Sequence, residues 1–352
     1  SEKLSSGPHR DFRLGEELYG QLLPLTLNEG ISAEEVLNRA QLELKSVQFE
    51  MLDIAVPLFE NIFGYSPDVR SHNEQLNVIE KVLDSIANDH VERHEVVESA
   101  KATIDELNQF IMDNDLLTLD PSKPLEIRET PEYQRGFSIA SLQAPGPLEN
   151  NLKTFYNVSP IPEGWSDKKA ESFLREYNRI SVKILSIHEA LPGHYVQLYY
   201  ANRHPSIIRS VLGSGVMVEG WAHYTERMMI EEGFGNGDPR YRLVQMKWKL
   251  RGIANAIIDQ KIHAGSMTED EAMELMVRET FQEDAEASAK WRRAQLSFGQ
   301  LSTYFVGSTL MWDLKRDVEE KRGSNFNLKE FHEELLSHGS IPIRHLRWLI
   351  LD

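Results

Sequence analysis

The chain has 352 residues, 41% of them hydrophobic and 26% charged, with a formal net charge of −17 at pH 7 and no cysteine. That length can bury a large core, as one big helical domain or two smaller ones. The acidic balance excludes a nucleic-acid partner, which would need clustered Lys and Arg, and the missing cysteines exclude disulfides and thiolate metal sites. The basic runs "KWRR" and "IRHLRW" sit among apolar residues and read as solvated helix faces. No apolar run approaches the roughly 20 residues of a membrane span. No signal peptide is visible and the first residue is Ser1, so the chain is expected to be processed, or to be part of a longer protein.

Most of the sequence predicts helix. "ISAEEVLNRAQLELKSVQFEMLDIAVPLFENIFG" opens on a capping box, Ser32 to Glu35, and stops at Gly64. "NEQLNVIEKVLDSIANDH" and "VERHEVVESAKATIDELNQFIMDND" continue with apolar residues three and four apart. From Pro121 to Trp165 the pattern breaks. Pro and Gly are frequent there, and "LEIRE", "FSIASLQA" and "KTFYNVS" predict a small antiparallel sheet or extended loops. An exposed edge strand ahead of a catalytic helix is what a peptidase uses to align a peptide backbone; a plain connection between helical halves fits these residues equally well. Later, "MTEDEAMELMVRETF" carries a second capping box, Thr268 to Glu271, and "NLKEFHEELLSHG" starts at Asn327 and stops at Gly339.

The chemistry concentrates in "SIHEALPGHYVQLYY". His188 and Glu189 begin a zinc-hydrolase signature, but the second His stands at 194, with Pro192 where it is usually found. On a regular helix, positions i and i+6 are about 120° apart and could not easily share a metal. Pro192-Gly193 offers the remedy, since Pro removes a helix hydrogen bond and Gly tolerates the resulting kink or break. The alternative is that His188 and His194 are ordinary helix-face histidines and Pro-Gly simply ends a helix. Downstream, "GSGVMVEGWAHYTERMM" begins a helix near Val216 that puts Glu219, His223 and Glu226 at i, i+4 and i+7, on one face. Apolar Met217, Val218, Trp221 and Met228 leave that face little room for solvent. His188, His194 and Glu219 are therefore the expected ligands of one zinc ion. Glu189 is the expected base for the zinc-bound water, and Glu226 or His223 would hydrogen-bond a ligating imidazole. A third stretch, "WRRAQLSFGQLSTYFVGSTLMWDL", places Arg293, Ser297, Gln300 and Tyr304 on one stripe if helical, with Gly307 on the same face as if something packs closely there. Tyr304 is expected to stabilise an oxyanion and Arg293 to clamp a substrate carboxylate. A buried structural hydrogen-bond network is the alternative for Arg293 and Gln300.

"HEALPGH", "EGWAHYTE" and "GQLSTYFVG" resemble the three ordered blocks of the bacterial family called domain of unknown function 885, and the likeness runs from near Phe12 to the C-terminus. The resemblance implies a mostly helical, zinc-metallopeptidase-like fold, in the broad group of angiotensin-converting-enzyme-like and thermolysin-like enzymes. It carries His188, His194 and Glu219 over as zinc ligands and Glu189 as base, and Arg293, Gln300 and Tyr304 match the third block. The spacing from His194 to Glu219 is similar to that between the second His and the Glu ligand in helical carboxydipeptidases. It also implies that the chain is the C-terminal portion of a longer precursor, and a periplasmic or cell-surface lipoprotein, although the residues themselves leave a cytoplasmic location open. Two positions depart from the pattern. Phe298 replaces a Pro, and His223 replaces an apolar residue.

The expectation is thus a mainly α, single metallopeptidase-like domain over 1–352: helical over 1–120, extended over 121–165, with active-site helices over 166–352. It binds one zinc ion and hydrolyses short peptides. A zinc-dependent amidase of small molecules and a non-catalytic helical binding protein are the alternatives. Neither substrate nor oligomeric state is legible.

Overall fold

The structure, a computed structural model, describes residues 11–120, 125–135, 140–149 and 152–352. Helix α1 (Glu16–Leu27) leads into the long α2 (Ala33–Phe63), where the Ser32 hydroxyl accepts the Glu35 N–H, half of the expected capping box. At its far end Gly64 takes a left-handed φ of 79° and closes the helix. Helix α3 (His72–Ala87) begins on a full capping box, Ser71 with Glu74, and α4 (Val96–Asp113) follows.

A three-stranded sheet then forms from β1 (Leu125–Glu129), β2 (Ala140–Gln143) and β3 (Thr154–Val158). The start of "FSIASLQA" lies outside the described residues. The sheet is mixed rather than antiparallel, which corrects the expectation. β3 lies in the middle, antiparallel to β2 with Gln143 opposite Phe155, but parallel to β1 with Leu125 opposite Thr154. The chain passes from β1 to the far edge and fills the centre last, so its first and last strands run the same way. The Tyr156 hydroxyl on the central strand meets Ser186 Oγ at 3.2 Å and ties the sheet to the helix that carries His188.

The rest is helical: α5 (Asp167–Glu176), α6 (Arg179–Glu189), α7 (His194–Asn202), the short α8 (Ile207–Val211), α9 (Gly215–Glu231), α10 (Pro239–His263), α11 (Glu269–Met273), α12 (Asp284–Leu296), α13 (Ser302–Arg322), α14 (Leu328–Ser337) and α15 (Ile343–Leu351). The Thr268–Glu271 capping box is present, but α11 widens after Met273 into a π-helical segment, Glu274–Glu279. Helices α9, α10 and α13 pack together at the centre, with α6 against α9 and α2 against α10. The contact between α9 and α13 is backbone on backbone: a Cβ on Gly220 would lie 2.6 Å from the Gly307 carbonyl carbon, and one on Gly307 would lie 2.2 Å from the Val216 oxygen. Only glycine at both positions allows this approach, and it brings Glu219 and Tyr304 to facing sides of one seam.

One basic run is a solvated face only in part, with Arg292 and Arg293 exposed but Lys290 not. Lys290 of "KWRR" is 7% exposed, beside a buried set in which Glu176 pairs with Lys247 at 2.8 Å and Arg251 at 3.1 Å, and Arg251 with Glu286 at 2.6 Å. The sequence could not show this, because the two carboxylates come from α5 and α12 and the main cations from α10. No helix among the described residues is long and apolar enough to cross a membrane.

Candidate metal centre

Helix α6 starts where Asn178 Oδ1 accepts the N–H groups of Ile180 and Ser181, and it buries Ile180, Ile184 and Ile187 at helical spacing. It ends at Glu189. The Ser186 carbonyl accepts from both Ala190 and Leu191, the chain turns through a cis Leu191–Pro192 peptide, and the Gly193 N–H returns to the Ile187 carbonyl at 2.9 Å. The Trp221 indole N–H fastens the turn from α9 by donating to the Pro192 carbonyl at 2.8 Å. A Cβ at Gly193 would lie 1.8 Å from the His188 oxygen, so the turn admits glycine alone. His194 then opens α7. The helix is broken rather than bent, and the break removes the 120° offset of a continuous helix: the His188 and His194 rings meet at 4.7 Å, edge to face.

Helix α9 brings its polar stripe to the same place. Glu219 Oε2 lies 3.6 Å from His188 Nε2 and 3.6 Å from His194 Nε2. Glu226, with 0% exposure, sits behind: its Oε1 accepts from His188 Nδ1 at 2.7 Å and from His223 Nδ1 at 3.0 Å. Two triads of ligand-type groups have all their ligand atoms within 4.8 Å of one another, His188–His223–Glu226 and His188–Glu189–His194. The first is held by its own hydrogen bonds, which commit the Nδ1 atoms of His188 and His223 to Glu226. The spare capacity lies on the other side of His188, where Glu219 Oε2 is buried without a hydrogen-bond partner among the described residues.

That donor set fits a small divalent cation. Bonds of about 2.1 Å in tetrahedral array separate two ligand atoms by about 3.4 Å, close to both Glu219 distances and too long for a hydrogen bond. His188 meets the usual arrangement of a ligating imidazole, with one nitrogen facing the ion's place and the other donating to a carboxylate. His194 does not, because its Nδ1 is buried without a hydrogen-bond partner among the described residues. The electrostatics agree. Burial favours neutral His188, but the Glu219 and Glu226 carboxylates facing its two nitrogens outweigh it and raise its pKa well above the usual value. Burial likewise opposes charge on the two carboxylates, and the imidazoles still hold both well below the usual range. The pocket is built around a positive charge. The Glu189 carboxylate, partly buried at the end of α6, lies within 4.8 Å of ligand nitrogens of His188 and His194.

Arg293, Gln300 and Tyr304 converge as well, though not on one helix as expected. Helix α12 ends at Leu296, Ser297 is extended, and Gly299 takes φ +74° before α13 begins. The turn is clamped by Asp259, a residue the sequence did not flag, which accepts the Gly299 N–H, the Ser302 hydroxyl at 2.7 Å and the Tyr19 hydroxyl at 2.9 Å. Arg293 Nη2 donates to Gln300 Oε1 at 2.8 Å and to the Tyr304 oxygen at 3.0 Å, and Gln300 Nε2 donates to the same oxygen at 3.1 Å. The phenol oxygen accepts twice, so its own proton is left to donate elsewhere. Tyr304 faces His223 edge-on at 5.6 Å, and His223 faces His188 at 4.9 Å. The structure therefore brings together His188, Glu189, His194, Glu219, His223 and Glu226, and sets Tyr304 beside them with Arg293 and Gln300 behind its hydroxyl.

Comparison with known proteins adds a family and a fold. The profile described as "Bacterial protein of unknown function (DUF885)" matches residues 2–350. No curated protein matches. A solved structure described as "a putative lipoprotein of unknown function" from Shewanella oneidensis is similar over 100% of this chain, with 43% identity and a TM-score of 0.90. Another, "the putative lipoprotein from Colwellia psychrerythraea", is similar over 99% of it with 20% identity and a TM-score of 0.82, a likeness of fold alone. This chain spans 62% of the first protein and 58% of the second.

Proposed function

We propose that this chain, which belongs to the bacterial family DUF885, is a zinc-dependent hydrolase of short peptides. One observation carries the reading: a buried, unpartnered carboxylate oxygen of Glu219 stands 3.6 Å from the Nε2 atoms of two histidines, one of them backed by a second carboxylate. His188, His194 and Glu219 would hold the ion. When bound, zinc supplies a Lewis acid that polarises a carbonyl and acidifies water to a pKa near 7.

The chain's own residues do the rest. Glu189, the carboxylate next to His188, takes the proton of the attacking water and later delivers it to the departing amine. Tyr304, whose oxygen already accepts from Arg293 and Gln300, donates its hydroxyl proton to the oxygen of the substrate carbonyl as charge develops there. Arg293 thereby serves to orient Tyr304, and its exposed position also suits a substrate carboxylate. Glu226 fixes the tautomer and direction of His188. Because the similar solved structures are described as lipoproteins, the cell envelope is the place we assign to it.

A substrate panel of dipeptides, tripeptides and acyl amides, run on the parent chain and on Glu189→Gln, tests the reading. The proposal expects peptide hydrolysis that Glu189→Gln loses while keeping its zinc. Full activity in that variant would refute the mechanism, and preference for acyl amides would refute the substrate class.

A further inference from the structure

The described residues carry an inverted amphipathic element. In most surface helices the apolar stripe faces the core. In and just after α8, Ile207, Ile208, Val211 and Leu212 fall at i, i+1, i+4 and i+5, on one face, and that face points to solvent, with exposures of 51%, 66%, 56% and 68%. Arg209 and Ser210, on the polar side, are half-buried at the edge of this face. The projection is fixed at both ends. The Ser206 N–H donates to His204 Nδ1, the Ser210 hydroxyl to the His204 carbonyl, and the Ser214 N–H to the Ser340 carbonyl. Gly339 packs on the Arg209 backbone.

Its charge is opposite to that of the whole. In a chain of net charge −17, no Asp or Glu occurs between Glu189 and Glu219, while Arg203, His204 and Arg209 flank the apolar face. His338 and Glu334 lie close by, but burial and the Arg209 charge hold the His338 imidazole below its usual range, so it brings no positive charge of its own. Arg203 packs over the Tyr199 ring, 3.8 Å from Asp120. A fixed aliphatic face rimmed by cations is what the boundary of an anionic bilayer accommodates: acyl chains take the aliphatic groups and headgroups take the cations. A second copy seated on the same patch would bring Arg203 and Arg209 of both copies together, which disfavours a symmetric contact.

We propose that the Arg203–Leu212 projection docks this protein onto anionic lipid surfaces, with Ile207, Ile208, Val211 and Leu212 entering the interface. The proposal is independent of the hydrolytic reading, because none of these residues belongs to the metal centre. It is tested by co-sedimentation with vesicles of phosphatidylglycerol and phosphatidylethanolamine, against vesicles of phosphatidylcholine alone, at low and high salt. The parent chain is expected to bind the anionic vesicles, less so at high salt. Ile208→Ser with Val211→Ser, which alters two exposed positions and no charge, should weaken binding at least about tenfold with an unchanged circular dichroism spectrum. Arg209→Gln should weaken it separately by removing charge. No vesicle association would overturn the proposal. Equal binding by the serine variant would too, as would a lipid-free dimer that this variant dissolves.

Discussion

Replacing Gly307 by Ala tests whether the α9–α13 seam positions the centre. The added methyl would lie 2.2 Å from the Val216 oxygen and 2.6 Å from Gly220 Cα, and both neighbours are backbone. Ordinary contacts begin near 3.5 Å, so the two helices must part by about 1 Å, and no rotamer change can absorb the difference. Overpacking of this kind costs about 1–3 kcal/mol, and backbone-on-backbone crowding belongs at the upper end. At about 2.1 cal/mol/K of unfolding entropy per residue, a loss of about 3 kcal/mol from a chain of 352 residues lowers the melting temperature by roughly 4 °C. Glu219 adjoins Gly220, and Tyr304 lies one helical turn before Gly307, so the same parting shifts the third ligand and the hydroxyl donor relative to the histidines. A misplacement of about 1 Å costs on the order of 100-fold in rate. Thermal unfolding followed by circular dichroism, with and without added zinc, reads the stability and the binding together. A Gly307→Ala protein that melts with the parent and is stabilised equally by zinc would show that the seam does not set the geometry of the site.

Two further changes probe individual contacts. Glu226→Gln keeps the shape but replaces the carboxylate that accepts from His188 and His223; zinc affinity by chelator competition should fall about 10–100-fold, and an unchanged affinity would remove Glu226 from the site. His332 is buried, with its pKa pushed by burial down to about 4, its Nδ1–H donating to the Leu116 carbonyl and its Nε2 accepting from Tyr224. Its folded pKa lies below the unfolded value near 6.5, so the unfolded chain gains a proton first. Stability from this group is therefore fully present above pH 6.5 and falls as pH drops towards 4, by about 2 kcal/mol between pH 7 and 5. Urea unfolding of parent and His332→Gln across that range should show a flatter profile in the variant, and parallel profiles would contradict the assignment.

The helices and the chemistry were legible because both are local. Capping residues such as Ser32 and Thr268 mark helix starts wherever the chain goes, and His188, His194, Glu219 and Glu226 stand out by residue type and helical spacing. Pro192-Gly193 was legible as a point where a helix can fail, but a kink and two separate helices differ only in tertiary contacts such as the Trp221 bond to the Pro192 carbonyl. The Arg293–Tyr304 stripe was read on one helix, yet its members meet across a break, because Asp259 holds Gly299 and Ser302 from a third helix. Long-range pairing explains the remaining departures. The parallel register of β1 with β3, the burial of Lys290 and the identity of Gly220 as the partner of Gly307, whose close packing was read, depend on residues far away in the chain, and no local pattern records them.

The central claim is that the break after Glu189 closes two histidines and Glu219 on a metal ion. Elemental mass spectrometry of the protein, purified without chelator, tests it directly. About one zinc per chain, lost in Glu219→Ala, is the predicted result. A parent chain that takes up no metal even when zinc is supplied would contradict it, leaving an acid–imidazole cluster with no ion to organise.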